Sequence, residues 1–111
     1  MKAVGRTTSV GIGAQVDNLL DGFTFQFAPD TGAVRFYALT SGGDVRAQVY
    51  VGTDLVVDDL QLQVGTVVNK REHLVAEHGA FRGEQVTFRV RQIAGAAAVN
   101  VNWVVEFEPM E

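Results

Sequence analysis

Alternation of apolar and polar residues with a period of two is the feature that most constrains this chain. In one segment Val45, Ala47, Val49 and Val51 alternate with Arg46, Gln48 and Tyr50. Successive side chains of a β-strand point to opposite faces, so this pattern predicts strands with one buried face. Valine fills 19 positions, against seven leucines and two isoleucines, and β-branched side chains pack well on pleated sheets. The sequence therefore predicts an all-β chain.

Two pairs of alternating segments predict β-hairpins. Ala33–Thr40 is followed by the turn residues Ser41–Asp44 and then by Val45–Val51, and Val86–Arg91 is followed after a short loop by Ala97–Phe107. Four-residue loops would set the register of both hairpins. The predicted cross-strand pairs are Val34–Val51, Phe36–Val49, Ala38–Ala47, Val90–Val99, Phe88–Val101 and Val86–Trp103.

Shorter segments complete the predicted set of strands. They are Ala3–Ile12 (a strand or an arm), Val16–Leu20 (a strand or one helical turn), Phe23–Phe27, Leu55–Val57, Leu60–Val64, Val67–Val68 and His73–Glu77. Nothing in the sequence has the periodicity of a long helix. About eight short strands separated by glycine-bearing turns are typical of an antiparallel β-sandwich with a jelly-roll-like arrangement. We expect one domain over residues 1–111, with residues 1–12 as an N-terminal arm or an edge strand.

Charge and composition argue against several classes of partner. The net charge is −4, and the nine lysines and arginines are scattered, whereas a nucleic-acid binder needs a basic stripe. No apolar run approaches the ~20 residues that span a bilayer, and no apolar stretch follows Met1–Arg6 as in a signal peptide. The absence of cysteine excludes disulfides and suits assembly in a reducing cytoplasm. We expect no nucleic-acid partner and no membrane partner.

Metal-binding patterns are weak. His73 and His78 are five residues apart, which places them on opposite faces of one strand and prevents them from sharing a metal ion. Asp54, Asp58 and Asp59 form the densest carboxylate group. Gly52–Asp54 offers a fragment of a calcium loop, but aspartate in a β-turn is the commoner explanation. The sequence predicts no metal site and no cofactor.

Catalytic patterns are also weak. Ser9 and Ser41 do not lie in a nucleophile elbow, and Gly11–Gly13 is not followed by the residues of a phosphate-binding loop. Glu106 and Glu108 are interpreted as the solvated end of a strand, since glycosidase carboxylates face each other across a cleft. We therefore expect no catalytic residues and a protein that is not an enzyme.

Surface residues favour contacts with other proteins. The outer face of the first predicted hairpin carries arginine and tyrosine, which are enriched in interfaces, and Phe81 lies in a glycine-flanked loop. The chain ends carry opposite charge, which suits pairing of the two ends within one subunit or contact between subunits. The candidate interface residues are Lys2, Arg6, Arg35, Tyr37, Arg46, Tyr50, Phe81 and Arg82.

Three segments, 44–52, 81–91 and 96–103, resemble the small capsid decoration (auxiliary, or cement) proteins of tailed bacteriophages. The shared layout is an aromatic residue, a glycine with an acidic residue, a strand, a small-residue turn and a final strand. Such proteins are β-sandwiches on the outside of icosahedral shells. The resemblance implies the major capsid protein as partner, a homo-oligomer (a trimer favoured), and a location on the outer surface of the virion after synthesis in the host cytoplasm. It implies no catalytic residues, and Met1–Val10 matches the family's shell-gripping arms only loosely.

Two other functions compete with capsid decoration. A receptor- or glycan-binding module of a tail fibre or spike is suggested by Trp103, Tyr37, Tyr50 and Phe81, because sugars stack on aromatic rings. Trp103 alternates with the valines of its strand, which predicts that it is buried. A small enzyme or metal-binding β-domain is the third possibility.

Overall fold

The computed structural model describes residues 2–23, 26–69, 71–95 and 97–110, with the side chain of Lys2 excepted. These residues form eight β-strands and no α-helix. The strands are β1 (Lys2–Val10), β2 (Gln15–Val16), β3 (Gly32–Thr40), β4 (Asp44–Val51), β5 (Asp54–Gln61), β6 (Leu74–Ala80), β7 (Val86–Ala94) and β8 (Val99–Pro109). Within the described ranges no helix could span a membrane.

The strands form two antiparallel sheets of four. Sheet A has the order β1-β8-β3-β6, and sheet B has the order β2-β7-β4-β5. Apart from the step from β4 to β5, every step along the chain crosses from one sheet to the other. This is the strand order of a jelly roll, and it confirms the predicted all-β sandwich. The segment at 2–10 is an edge strand of sheet A.

Both predicted hairpins are wrong, because their strands lie in different sheets. β3 pairs with β8 and β6, so Val34 lies opposite Phe107 instead of Val51. β7 pairs with β4 and β2, and Val90 lies opposite Ala47 instead of Val99. A period-two pattern determines which side chains are buried but not which strand lies alongside. A short loop can also carry the chain across the sandwich.

The predicted buried faces are confirmed, and they meet across the sandwich to form the core. Phe36 of sheet A and Phe88 of sheet B are fully buried, with ring centroids 5.4 Å apart and planes at 81°. Edge-to-face contacts of this kind stabilise aromatic pairs beyond simple burial. Trp103 is also buried, as its alternation with valines predicted, and it packs edge-on against Phe23 at 5.7 Å.

The segment before β3 departs from the prediction. Phe23 and Phe27 lie outside the strands, although Phe27 makes an isolated bridge to Gln85 and is half exposed. Thr24 and Phe25, which belong to the predicted strand at 23–27, lie outside the described residues.

The middle of the chain differs as well. β5 runs continuously through Asp58 and Asp59, where the sequence predicted a break, because register shifts in its pairing with β4 absorb the irregularity. β6 extends to Ala80, three residues beyond the predicted end at Glu77. The short strand predicted at Val67–Val68 is absent from the structure at those positions.

Candidate interaction surface

The predicted interface residues do not share one surface. Arg35 and Tyr37 lie on the outer face of sheet A, whereas Arg46 and Tyr50 lie on the outer face of sheet B. The predicted single face is therefore wrong, because β3 and β4 belong to different sheets.

The outer face of β3 is also less accessible than predicted. Tyr37 is 6% exposed and Leu39 is fully buried. Segment 62–69 runs beside the end of β3, where the amide of Thr40 donates to the carbonyl of Gln63 and the amide of Gly65 donates to the carbonyl of Thr40, each at 3.0 Å. Gly65 lies against the side chain of Leu39, and the carbonyl of Thr66 accepts from the side-chain amide of Asn102 at 3.0 Å. The connection between β5 and β6 thus covers residues that the alternation places away from the core.

Tyr37 and Glu106 form a buried polar pair on this face. Burial, and then a hydrogen bond to the Glu106 carboxylate, raise the pKa of the Tyr37 phenol above its usual value. Glu106 is only 4% exposed, so its interpretation as part of a solvated strand end is wrong. The cause is again the sheet order, which places β8 between β1 and β3.

An apolar groove of about 590 Å³ lies at one end of the outer face of sheet A. Four small residues of β3 and β6 line it, namely Gly32, Ala33, Gly79 and Ala80, together with Pro109 of β8. Phe81 and Met110 flank these small residues, and each is 71% exposed. We call this set of residues the Phe81 groove.

A cluster of charges borders the Phe81 groove. The Nη1 atom of Arg35 lies 2.7 Å from a carboxylate oxygen of Glu108, and its Nε atom donates to Glu77. Hydrogen bonds to Glu108 and then to Glu77 raise the pKa of Arg35. An apolar centre beside fixed polar groups is the usual arrangement of a protein–protein interface.

Hydrogen bonds from the backbone amides of its loop hold Phe81 in its exposed position. Its amide donates to Oε1 of Glu84 at 2.7 Å, and the amide of Glu84 donates back to the Phe81 carbonyl at 3.0 Å. The amide of Gly83, which has φ of 87°, donates to the carbonyl of Ala28. The amide of Arg82 donates to the Thr31 hydroxyl at 3.3 Å. Phe81 is therefore presented to solvent by a hydrogen-bonded loop instead of closing the end of the sandwich.

The two chain ends pair within the subunit. Lys2 lies opposite Phe107 and Ala3 lies opposite Glu106 in the β1–β8 ladder. The guanidinium of Arg6 stacks over the ring of Phe23 at 5.2 Å from its centroid. The Arg6 side chain thus makes this contact within its own subunit. The side chain of Lys2 and the whole of Glu111 lie outside the described residues.

The outer face of sheet B is polar. Arg46 pairs with Asp44 at 2.7 Å and with Asp59 at 3.5 Å. The hydrogen bond from Arg46 lowers the pKa of Asp44, and the same contact raises the pKa of Arg46. The guanidinium carbon of Arg89 lies 6.0 Å from the centre of the Tyr50 ring.

The two histidine side chains each lie close to a polar group of another residue. The Nδ1 atom of His73 accepts a hydrogen bond of 2.8 Å from the amide of Asn69, and the Nε2 atom of His78 lies 3.9 Å from a carboxylate oxygen of Asp54. Among the described residues no three side chains of the metal-binding types are grouped so that they could hold an ion.

Most of the Phe81 groove could not be recognised from the sequence. Met110, Pro109 and Glu108 come from the end of β8, and Gly79 and Ala80 come from the end of β6, so only the sheet order brings them together. The available signal was the run of small residues before Phe81, which leaves space beside an exposed aromatic ring.

The chain matches no protein-family model and no curated protein sequence.

Proposed function

We propose that this protein is a non-enzymatic structural protein of a virion, which decorates and stabilises a phage capsid through protein–protein contacts. The observation that carries the proposal is the Phe81 groove, where Phe81 and Met110 are each 71% exposed beside a surface of small residues. The jelly-roll sheet order and the sequence resemblance to decoration proteins agree with it.

The exposure of Phe81 favours a contact with another protein. Large apolar side chains grouped on a surface mark interaction sites in soluble proteins, and aromatic residues in such patches carry much of the binding energy. The loop that holds Phe81 is ordered by its own hydrogen bonds, so little conformational entropy is lost when a partner covers the ring.

The proposed occupant of the groove is an apolar segment of the major capsid protein. A decoration protein that binds the assembled shell better than free subunits transfers its binding free energy to the stability of the shell. A trimer of this chain would engage three such sites at once and gain from avidity. A measurement of the mass in solution distinguishes the trimer from the monomer.

The alternative, a receptor- or glycan-binding module of a tail fibre or spike, loses two of its four aromatic residues. Trp103 and Tyr37 are buried, which leaves Tyr50 and Phe81 to meet a sugar. A glycan array that gives specific binding would favour this alternative over capsid decoration.

The test is co-sedimentation of the purified protein with undecorated, expanded shells assembled from the major capsid protein of the same virus. We expect the wild-type chain to sediment with the shells. Phe81→Ala and Met110→Ala should each weaken binding by at least about tenfold, which corresponds to ~1.4 kcal/mol at a well-packed contact.

Ile12→Ala is the matched control. Ile12 is also an exposed apolar residue (58%), but it follows β1 at the end opposite to the groove. Shells that never retain the wild-type protein would refute capsid decoration. Equal losses for Ile12→Ala and Phe81→Ala would refute the groove as the contact.

A further inference from the structure

A second site lies on the opposite side of the sandwich, on the outer face of sheet B. It is a small polar depression of about 100 Å³. Its lining side chains include three arginines, two aspartates and two glutamines, namely Arg46, Arg89, Arg91, Asp58, Asp59, Gln15 and Gln48. We call it the arginine depression.

The arginines of this depression are incompletely neutralised. Arg46 lies directly opposite Arg91 in the β4–β7 ladder, and like charges in this position repel each other. Arg46 is paired with Asp44 and Asp59. Arg91, in contrast, has no ion pair with any residue that the structure describes.

Arg89 adds a donor that lacks an acceptor. Its Nη1 atom donates to Oε1 of Gln48 at 2.9 Å, and the Gln48 amide donates in turn to Asp58 at 2.9 Å. Its Nε atom is buried and has no hydrogen-bond partner within the described part of the chain. A buried polar group without a partner is costly and uncommon, more so when it belongs to a charged side chain.

The backbone on the β5 side of the depression is strained at Asp59. Asp59 has φ of 55°, which non-glycine residues adopt infrequently, and the pairing of β4 with β5 shifts register near Ala47 and Val49. Bulges redirect side chains, and strained residues gather at functional sites. The irregularity brings Asp58 and Asp59 to the rim of the same depression.

We propose that the arginine depression binds a carboxylate group from an acidic side chain of a partner protein. A carboxylate would accept hydrogen bonds from the guanidinium nitrogens of Arg89 and Arg91 that line the depression, and it would offset the charge of Arg91. Guanidinium groups bind carboxylates through charge-assisted hydrogen bonds. The volume admits the end of one side chain, whereas pockets for larger ligands measure roughly 300–1,000 Å³. The site lies on the other sheet from the Phe81 groove, so it does not depend on the function proposed for that groove.

The test is a titration of isotope-labelled protein, observed at the Nε–H resonances of its arginines by NMR. The probes are a tripeptide with blocked ends and a central glutamate, the same peptide with a central glutamine, sodium acetate and sodium glucuronate, at constant ionic strength. We expect the glutamate peptide to shift the Arg89 resonance saturably and the glutamine peptide to leave it in place. Arg91→Gln should weaken this binding about tenfold, since a hydrogen bond to a charged group contributes about 1.5–3 kcal/mol.

Arg82→Gln is the control, because Arg82 is exposed on the loop beside the Phe81 groove and is remote from the depression. Its affinity for the glutamate peptide should equal that of the wild type. An Arg89 resonance that does not respond, or that responds equally to both peptides, would overturn the proposal. Tighter binding of acetate or glucuronate than of the glutamate peptide would also overturn it, since the source would then be a small anion or an acidic sugar. Neither result bears on co-sedimentation with shells.

Discussion

The side-chain amide of Gln92 donates a hydrogen bond of 2.9 Å to the carbonyl of Val10. Its backbone contacts the same stretch of chain: its carbonyl accepts from the amide of Gly13, and its amide donates to the carbonyl of Ala14, each at 3.1 Å. Gln92 is fully buried in β7 of sheet B, whereas Val10 ends β1 of sheet A. One glutamine therefore holds the crossover between the two sheets in place.

Gln92→Leu should destabilise the fold by about 1–3 kcal/mol, because the carbonyl of Val10 would lose its donor in the protein interior. Urea unfolding followed by the fluorescence of Trp103 measures the change. Gln61→Leu is the control, since Gln61 is exposed on β5, and its effect should stay within about 0.5 kcal/mol. Equal stability of Gln92→Leu and the wild type would show that the hydrogen bond to Val10 only offsets the cost of the buried Oε1 atom of Gln92, which has no hydrogen-bond partner among the described residues.

Thr8→Val should also lower the free energy of unfolding, by about 1–3 kcal/mol. The indole Nε1 of Trp103 donates to the Thr8 hydroxyl at 3.0 Å, and valine has a similar shape but no acceptor. The same unfolding experiment measures it, with Ser9→Val on the exposed side of β1 as the control. The expectation fails if Thr8→Val and Ser9→Val have the same effect.

Gly79→Val should weaken the binding of the protein to capsid shells without lowering its stability. A Cβ atom at Gly79 would meet no heavy atom closer than the Gly32 carbonyl oxygen at 4.0 Å, so a larger side chain fits there and fills the Phe81 groove. We expect thermal stability to be kept, since valine favours strands, and retention on capsid shells to fall.

Gly32→Ala is the contrasting variant. Its Cβ would lie 2.2 Å from the carbonyl oxygen of Glu108, so β3 and β8 must move apart, at a cost of about 1–3 kcal/mol. Thermal denaturation followed by circular dichroism compares the two variants. If Gly79→Val binds shells as well as the wild type does, the groove is not the contact surface.

Tyr37 should make the protein sensitive to alkaline pH. Its pKa is raised in the folded state by burial and by the hydrogen bond to Glu106, so the folded chain keeps the phenol proton to a higher pH than the unfolded chain. The stabilisation is fully present below the unfolded-state pKa of about 10 and is lost as the pH rises through the folded-state value. Urea unfolding at a series of alkaline pH values should therefore give a steeper decline for the wild type than for Tyr37→Phe. Identical slopes would mean that Tyr37 does not contribute to the pH dependence.

The sequence was sufficient to predict the fold class and the buried faces. Val45, Val49, Phe88 and Trp103 are all buried, as predicted. The prediction succeeds because alternation in the sequence indicates which side chains share a face of a strand. Strand neighbours could not be predicted in the same way. Thr40 and Val45 are separated by one short turn, yet Thr40 pairs in sheet A and Val45 pairs in sheet B. The local sequence does not distinguish a hairpin from a crossover between sheets.

The candidate surfaces were predicted less well, for a related reason. Phe81 and Arg35 were identified by residue type, but the groove beside them depends on Met110 and Gly79, which lie 29 and 2 residues away from Phe81 in the chain. Tyr37 is of a residue type common in interfaces and is nevertheless buried, where it bonds to Glu106. Leu39, on the same face, is buried beside Gly65 of the connection between β5 and β6. Such coverage by a loop leaves no periodic signal in the sequence.

The position of β8 has a consequence for how the chain folds. β8 is the last of the eight strands, yet it lies inside sheet A between β1 and β3, and its partner β1 is the first strand. During synthesis β1 and β3 must wait with unpaired edges until residues 99–109 leave the ribosome. Contacts between residues so far apart in sequence slow folding and leave strands exposed to aggregation. We therefore expect a chain truncated before Val99 to be unable to form sheet A, and expression of the intact chain to benefit from chaperones that shield nascent strands.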